Sequence, residues 1–150
     1  MFYVIGERIN TTLKKVRTAV ETRDAAYIQQ DVQNQEACGA TYIDVNAGAR
    51  IGYEKEDMIW LLDTVQEATN LPLCLDSPDP EILEMAYTKV KQIPMVNSIS
   101  LEKDRFDAMM PFLKGKECKI ISVCLIPSEL IHFTNQIVAC HFKSIRNDPI

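Results

Sequence analysis

The sequence predicts an α/β protein whose strands are parallel, and three observations lead to this prediction. Short apolar runs rich in β-branched residues alternate with longer segments of helical period. Capping residues, and glycine or asparagine stops, separate about five such β/α units. The chain has 150 residues, of which 47% are hydrophobic and 25% charged, and this composition suits one folded domain with a sizeable core.

The first two strands and the helix between them are predicted from local signals. An apolar run at residues 2–5 is predicted to be the first strand. A helix is predicted to begin at Asp24, whose carboxylate can accept hydrogen bonds from free backbone amides of the first turn. Gly39 is predicted to end this helix, because glycine readily takes the left-handed conformation. The second strand is predicted at residues 41–46.

The later units repeat the same order. A helix is predicted at residues 54–69, where apolar residues recur at helical spacing. Asp79 as a cap and Pro80 in the first helical position indicate a further helix, which ends near residue 90. The remaining elements are predicted as strands at residues 71–76, 93–97 and 119–125 and a helix at residues 102–114.

The last part of the chain, residues 126–150, is predicted to be a divergent helix and tail that follows the five units of residues 1–125. Ser128 is a suitable cap for this helix. Its side chains recur at helical spacing: Leu130, Ile131, Thr134, Ile137, Val138, His141 and Phe142.

Five strands are too few to close an eight-stranded barrel, and they would leave the first and fifth strands with unpaired edges. We therefore expect a truncated or split barrel that associates with a second copy or with a complementary barrel half. A monomer that unfolds cooperatively would contradict this expectation.

Composition argues against several classes of function. The net charge is −5, and acidic and basic residues are interspersed, so no basic stripe is expected to bind nucleic acid. The N-terminal apolar run is too short for a signal peptide, and no run approaches the roughly 20 residues that span a bilayer, so a cytoplasmic protein without membrane contact is expected. The five cysteines form no Cys-x-x-Cys pair, so reduced thiols and no metal site are expected.

Polar side chains follow each of the first four predicted strands. Such residues at strand ends often only cap the next helix or form turns. Here, however, four successive strands share the pattern, and several of the residues precede their helices by too many positions to act as caps. Because the carboxyl ends of parallel strands lie at one edge of the sheet, these side chains are expected to converge on one site. They are Glu7 and Asn10, Asp44 and Asn46, Asp76 and Ser77, and Asn97 and Ser98.

The residue types indicate the kind of ligand. A carboxylate can accept two neighbouring N–H groups, and a side-chain amide can donate one hydrogen bond while it accepts another. A flat heterocycle with adjacent donors and acceptors, such as a 2-amino-4-oxopterin, presents a matching edge.

Four segments carry the most specific pattern: IGERIN at 5–10, GATYIDVNAG at 39–48, LCLDS at 73–77 and MVNSIS at 95–100. In order and spacing they resemble the pterin-binding methyltetrahydrofolate:corrinoid protein methyltransferases. Dihydropteroate synthase and the folate domain of methionine synthase are more distant relatives of this family. The resemblance implies a partial TIM-type (β/α) barrel over residues 1–125.

The resemblance also implies roles for the strand-end residues. Asp76 and Asn97 are similar to family residues that bind the pterin ring, and Asp44 and Asn46 are expected to line the same mouth. Ser77 and Ser98 follow these strands and are included in the expected site. Glu7 and Asn10 are expected to support it at the floor or rim.

The expected substrate is methyltetrahydrofolate, and the expected partner is a protein that carries a corrinoid. In the family, residues that contact N5 of the folate come largely from the sixth and seventh strands, so no catalytic residue is assigned here. A non-catalytic remnant, or an interaction subunit that binds pterin or docks on a corrinoid protein, remains an alternative.

Overall fold

The computed structural model describes residues 2–100 and 102–123, together with the backbone of a strand at Ile137–Phe142. Helices and strands alternate through the first five units, as predicted. The elements are β1 (Ile5–Asn10), α1 (Lys14–Glu21), α2 (Ala25–Ala37), β2 (Tyr42–Asn46), α3 (Glu54–Ala68), β3 (Leu73–Asp76), α4 (Pro80–Tyr87), β4 (Met95–Ser100), α5 (Lys103–Leu113), β5 (Cys118–Val123) and β6 (Ile137–Phe142).

The strands form one sheet in the order β1-β2-β3-β4-β5-β6, and β1 to β5 are parallel. Each new strand is added on the same side of the preceding one, so right-handed crossovers place the helices on one face of the sheet. A doubly wound sheet would reverse its strand order instead. The predicted partial TIM-type (β/α) barrel is therefore confirmed.

The two faces of the sheet have different cores. Ile43, Val45, Leu73 and Leu75 pack in the large core cluster that also contains apolar residues of the helices. The alternate residues point the other way, because successive side chains of a strand face opposite sides. We call this second side the concave face, and its buried core residues are Tyr42, Cys74, Met95 and Ile121.

Contacts across the concave face show that the sheet is rolled. In a flat sheet β2 and β5 would lie about 14 Å apart, because neighbouring strands are about 4.8 Å apart. Nevertheless, the ammonium group of Lys119 on β5 donates a hydrogen bond to the hydroxyl of Tyr42 on β2. The same nitrogen lies 5.0 Å from the ring centre of Tyr3 and 5.1 Å from that of Tyr42. These contacts close the floor of the partial barrel.

Local signals placed several helix ends correctly. Asp79 caps α4 by accepting a hydrogen bond from the backbone nitrogen of Glu81 at 2.8 Å, and Pro80 is in the first turn. Asp24 caps α2 in the same manner, and Gly39 follows that helix with φ of +94°. Among the described residues, no helix is long and apolar enough to cross a membrane.

The first strand lies later in the chain than predicted. β1 is Ile5–Asn10, and the apolar side chain of Phe2 is 96% exposed. The polar residues of β1 concealed it, because the partners of one of them, Arg8, lie on a helix that is distant in sequence. Arg8 forms an ion pair with Asp31 of α2 at 3.0 Å, and its backbone nitrogen donates to the side chain of Gln35. Helix α1 was not predicted either.

The predicted last helix is wrong at Ile137–Phe142, where the structure has strand β6 antiparallel to β5. The segment contains Ile, Val and Phe, which favour strands, and β5 offers an unpaired edge to it. The predicted open edge of the fifth strand is therefore also wrong. Ser128 and the other residues of 124–136 and 143–150 lie outside the described part of the chain.

A substitution at Gly6 tests the packing of β1 on α2. A Cβ atom there would lie 2.3 Å from Oε1 and 3.0 Å from Cδ of Gln35, which is buried and held by hydrogen bonds to Arg8 and Asp31. Gly6→Ala is therefore expected to lower the free energy of unfolding by about 1 to 3 kcal/mol in urea titrations. The loss should be smaller in a Gln35→Ala background. An equal loss in both backgrounds would show that contact with the Gln35 side chain is not what requires glycine at position 6.

Candidate functional site

Four of the predicted polar residues form one row at the carboxyl ends of neighbouring strands. Asn46 of β2 is paired in register with Asp76 of β3, and Asp76 is paired with Asn97 of β4. Asp44 lies two residues before Asn46 and therefore faces the same side. All four continue the concave face beyond its apolar floor. We call Asp44, Asn46, Asp76 and Asn97 the strand-end row.

Each carboxylate of the strand-end row is paired with an amide. The side-chain nitrogen of Asn46 donates to Asp76 at 2.8 Å, while its oxygen accepts from the backbone nitrogen of Gly48 at 3.0 Å. The side-chain nitrogen of Asn97 donates to Asp44 at 3.2 Å, across strand β3. Among the described residues, only one oxygen of Asp76 accepts a hydrogen bond. The other oxygen of Asp76 is therefore available to accept hydrogen bonds from a ligand.

Burial and neighbouring negative charges raise the proton affinity of both carboxylates. Asp44 is 1% exposed, and burial raises its pKa to about 6 despite hydrogen bonds from Cys74 and Asn97. The negative charges of Asp76 and Glu7 add to this rise. Burial also raises the pKa of Asp76, and Asn46 partly opposes this effect. The site therefore favours ligands that bring N–H donors or a proton.

Cys74 belongs to this site, although the sequence pattern did not assign it. Its thiol is buried beside Asp44, its register partner on β2, and their hydrogen-bond interaction opposes the rise in the pKa of that carboxylate. Burial, followed by the charge of Asp44, raises the thiol pKa well above its usual value, so Cys74 stays protonated and is a poor nucleophile. Its position two residues before Asp76 was the available signal, because alternate residues share a face.

Ser77 is fully engaged within the protein. Its hydroxyl donates to Glu54 at 2.6 Å and accepts from the backbone nitrogen of Asp79 at 3.1 Å, and only 3% of the residue is exposed. It therefore lies beside the strand-end row but supports the loop after β3. Glu54 was missed by the sequence analysis, since an acid in the first turn of a helix is common.

The other three predicted residues lie around the row. Glu7 on β1 is exposed, and its charge raises the pKa values of Asp44 and Cys74, so it faces the same site. The side-chain oxygen of Asn10 accepts from the backbone and the hydroxyl of Thr12, at 2.9 and 2.7 Å, and thereby forms the turn after β1. Ser98 is half-buried at an irregularity of β4.

The loop after β2 is held firmly at the rim of the site. The backbone nitrogen of Ala49 donates to the hydroxyl of Thr11, which is buried in the loop after β1. Arg50 donates to both oxygens of Asp57, a fully buried carboxylate of α3, at 2.9 Å. Arg23 donates to the same carboxylate at 3.0 Å. These contacts were not predicted, because their partners are distant in sequence.

Within residues 2–100 and 102–123, no three side chains of the types His, Cys, Asp and Glu are grouped to hold a metal ion. The arrangement is instead one of paired hydrogen-bond donors and acceptors on a half-buried surface.

Comparison with known proteins identifies relatives of this chain. Residues 6–131 match the family of pterin binding enzymes, and this range includes the whole strand-end row. Over 108 residues the chain is 44% identical to a protein of Eubacterium limosum named methylcorrinoid:tetrahydrofolate methyltransferase. The aligned region covers 72% of this chain and 40% of that relative, so the chain spans about two fifths of the length of the relative it matches.

Proposed function

Since the chain belongs to the family of pterin binding enzymes, we propose that the strand-end row binds the ring of a reduced pterin. The observation that carries this proposal is the pairing of Asp76 with Asn46 and of Asp44 with Asn97 on adjacent strand ends. These pairs place two carboxylates and two amides on one half-buried surface.

The chemistry of the row fits the pyrimidine side of a pterin. That edge carries an amino group beside a ring N–H, and a carboxylate such as Asp76 can accept both. Asn97 is suited to donate to one ring atom and accept from another. Partial exclusion of water strengthens such bonds relative to those in solution. Asp44 and Asn46 then hold Asn97 and Asp76 in position through the contacts described above.

We propose further that the substrate is tetrahydrofolate or its N5-methyl form and that the methyl group is exchanged with a corrinoid protein in the cytoplasm. The relative from Eubacterium limosum is named for this reaction. In the direction toward folate, the methyl–cobalt(III) bond breaks and leaves cobalt(I), a bond forms between the methyl carbon and N5, and N5 loses its proton. The described residues are assigned to binding and orienting the ring, and none is assigned to N5.

Calorimetric titration of the full chain with tetrahydrofolate and methyltetrahydrofolate tests this function. The unmodified chain is expected to bind, and Asp76→Asn and Asn97→Ala are each expected to weaken binding at least about tenfold. Asp76→Asn turns an acceptor into a donor that opposes the N–H groups of the ring. Asp63→Asn, an exposed change on α3, is the matched control and should bind like the unmodified chain.

Two results would contradict this proposal. One is the absence of binding by the unmodified chain, and the other is equal affinity in all variants, which would place the ligand elsewhere. If the chain binds the pterin, transfer of a methyl group to or from free cobalamin, followed by absorbance, then distinguishes a methyltransferase from a non-catalytic pterin-binding protein. Binding without transfer would favour a non-catalytic pterin-binding protein.

The association of copies and the division at residue 125 stay predictions. Among the described strands, β1 has a partner on one side only. Sedimentation of the isolated chain would show whether this edge causes self-association.

A further inference from the structure

Glu54 lies next to the strand-end row and links two of the loops around it. It stands in the first turn of α3 and is half-buried. Its carboxylate accepts the hydroxyl of Ser77 at 2.6 Å, and Ser77 in turn accepts the backbone nitrogen of Asp79. A Cβ atom on Gly48 would lie 4.0 Å from the same oxygen. Glu54 therefore contacts the loop after β3 and lies near the loop after β2.

We propose that Glu54 is a positioning residue. It holds the loop after β3, which follows Asp76, and it makes Asp76 a stronger acceptor for N–H groups of the pterin. The inference rests on the function proposed for the strand-end row. A negative charge close to a carboxylate raises its affinity for protons and, by the same electrostatic effect, for hydrogen-bond donors.

The charges around Asp76 support this role. Burial is the main cause of its raised pKa, and the charge of Glu54 adds to it. The other titratable groups of the concave face are two acids and a neutral thiol near the row, Asp44, Glu7 and Cys74, and Lys119 at the floor, where it donates to the hydroxyl of Tyr42. Among the ion pairs of the described residues, none involves Glu54. Its charge is therefore not cancelled by a neighbouring base.

A purely structural role makes a different prediction. Acids in the first turn stabilise a helix through its dipole, and Glu56 and Asp57 share this turn. If Glu54 served only this purpose, a neutral side chain that still accepts the Ser77 hydroxyl would leave Asp76 unchanged. Glu54→Gln keeps the acceptor and removes the charge, whereas Glu54→Ala removes both.

Two readouts on the ligand-free chain test the proposal. In carbon-13 NMR titrations, the pKa of Asp76 is expected to fall in both variants. Exchange of the Asp79 backbone amide with solvent is expected to quicken in Glu54→Ala and to stay near its original rate in Glu54→Gln. An unchanged Asp76 titration in Glu54→Gln would overturn the electrostatic part, and unchanged exchange in Glu54→Ala would overturn the positioning part.

Titration with tetrahydrofolate adds a third readout. Near neutral pH, Glu54→Gln is expected to bind about threefold more weakly or worse, because Asp76 becomes a weaker acceptor. Its affinity should also persist to lower pH than that of the unmodified chain, since Asp76 then stays ionised. Equal affinity and an equal pH profile would overturn the ligand-binding role. If the unmodified chain bound no folate, the proposed function would be contradicted. The measurements on the ligand-free chain would still show whether Glu54 changes the pKa of Asp76.

Discussion

Replacement of Asp44 by asparagine is expected to raise the free energy of unfolding by about 2 to 3 kcal/mol near neutral pH. Asp44 is almost completely buried, and its pKa in the folded chain is raised to about 6, from an ordinary value of 3.8. Above this range the folded state must hold a buried charge that the unfolded state exposes to water. Asparagine is neutral and retains an oxygen that can accept from Asn97.

The gain is expected to depend on pH in one direction. A raised pKa means that the folded state binds the proton more tightly than the unfolded state, so protonated Asp44 favours folding. This contribution is complete below the unfolded pKa of 3.8 and is lost as the pH rises through about 6. The two proteins should therefore differ little at about pH 4 or below, should diverge between about pH 4 and pH 6, and should keep a constant difference at higher pH.

Urea unfolding of both proteins over this pH range measures the effect. Asp63→Asn, an exposed substitution on α3, should change the free energy of unfolding by less than about 0.5 kcal/mol at every pH. An Asp44→Asn protein that is less stable near neutral pH would show that the Cys74 and Asn97 hydrogen bonds outweigh the burial penalty. A gain in stability accompanied by weaker pterin binding would instead indicate that Asp44 serves the site rather than the fold.

Asp57→Ala is expected to have the opposite effect and to lower the free energy of unfolding by about 3 kcal/mol or more. The carboxylate is fully buried, accepts a hydrogen bond from Arg23, and accepts from Nη1 of Arg50 at both of its oxygens. Its removal leaves two guanidinium groups without their buried counter-charge. They would remain close to the rings of Trp60 and Tyr53, at 5.2 and 4.5 Å.

A change at Glu56 provides the control for Asp57. Glu56 also pairs with Arg23, at 2.6 Å, but its side chain is 69% exposed. Surface pairs contribute little, so Glu56→Ala should lower stability by less than about 1 kcal/mol. Similar losses in the two variants, measured by urea unfolding, would show that the buried carboxylate is not the anchor of the loop after β2.

The Asp57→Ala substitution should also affect the candidate site. Arg50 lies in the loop that follows Asn46, and this loop begins with the Gly48 amide that orients the Asn46 side chain. A looser loop is therefore expected to weaken pterin binding under conditions in which Asp57→Ala remains folded.

Local patterns in the amino-acid sequence were enough to predict the order of β/α units and much of the candidate site. Alternating apolar patterns are local, and so are the caps at Asp24 and Asp79, which act on amides within the next turn. The strand-end row was also predictable, because parallel strands bring their carboxyl ends to one edge whatever the details of packing. For this reason, Asp44, Asn46, Asp76 and Asn97 could be selected without knowledge of any contact.

The hydrogen-bond partner of each of these groups could not be predicted, because it depends on how distant parts of the chain pack together. The position of β1 depends on Gln35 and Asp31 of α2, and β6 depends on the free edge of β5. The raised pKa of Asp44 and the place of Glu54 likewise come from residues far apart in the chain. Burial and electrostatic coupling are properties of the packed molecule, so no local pattern encodes them.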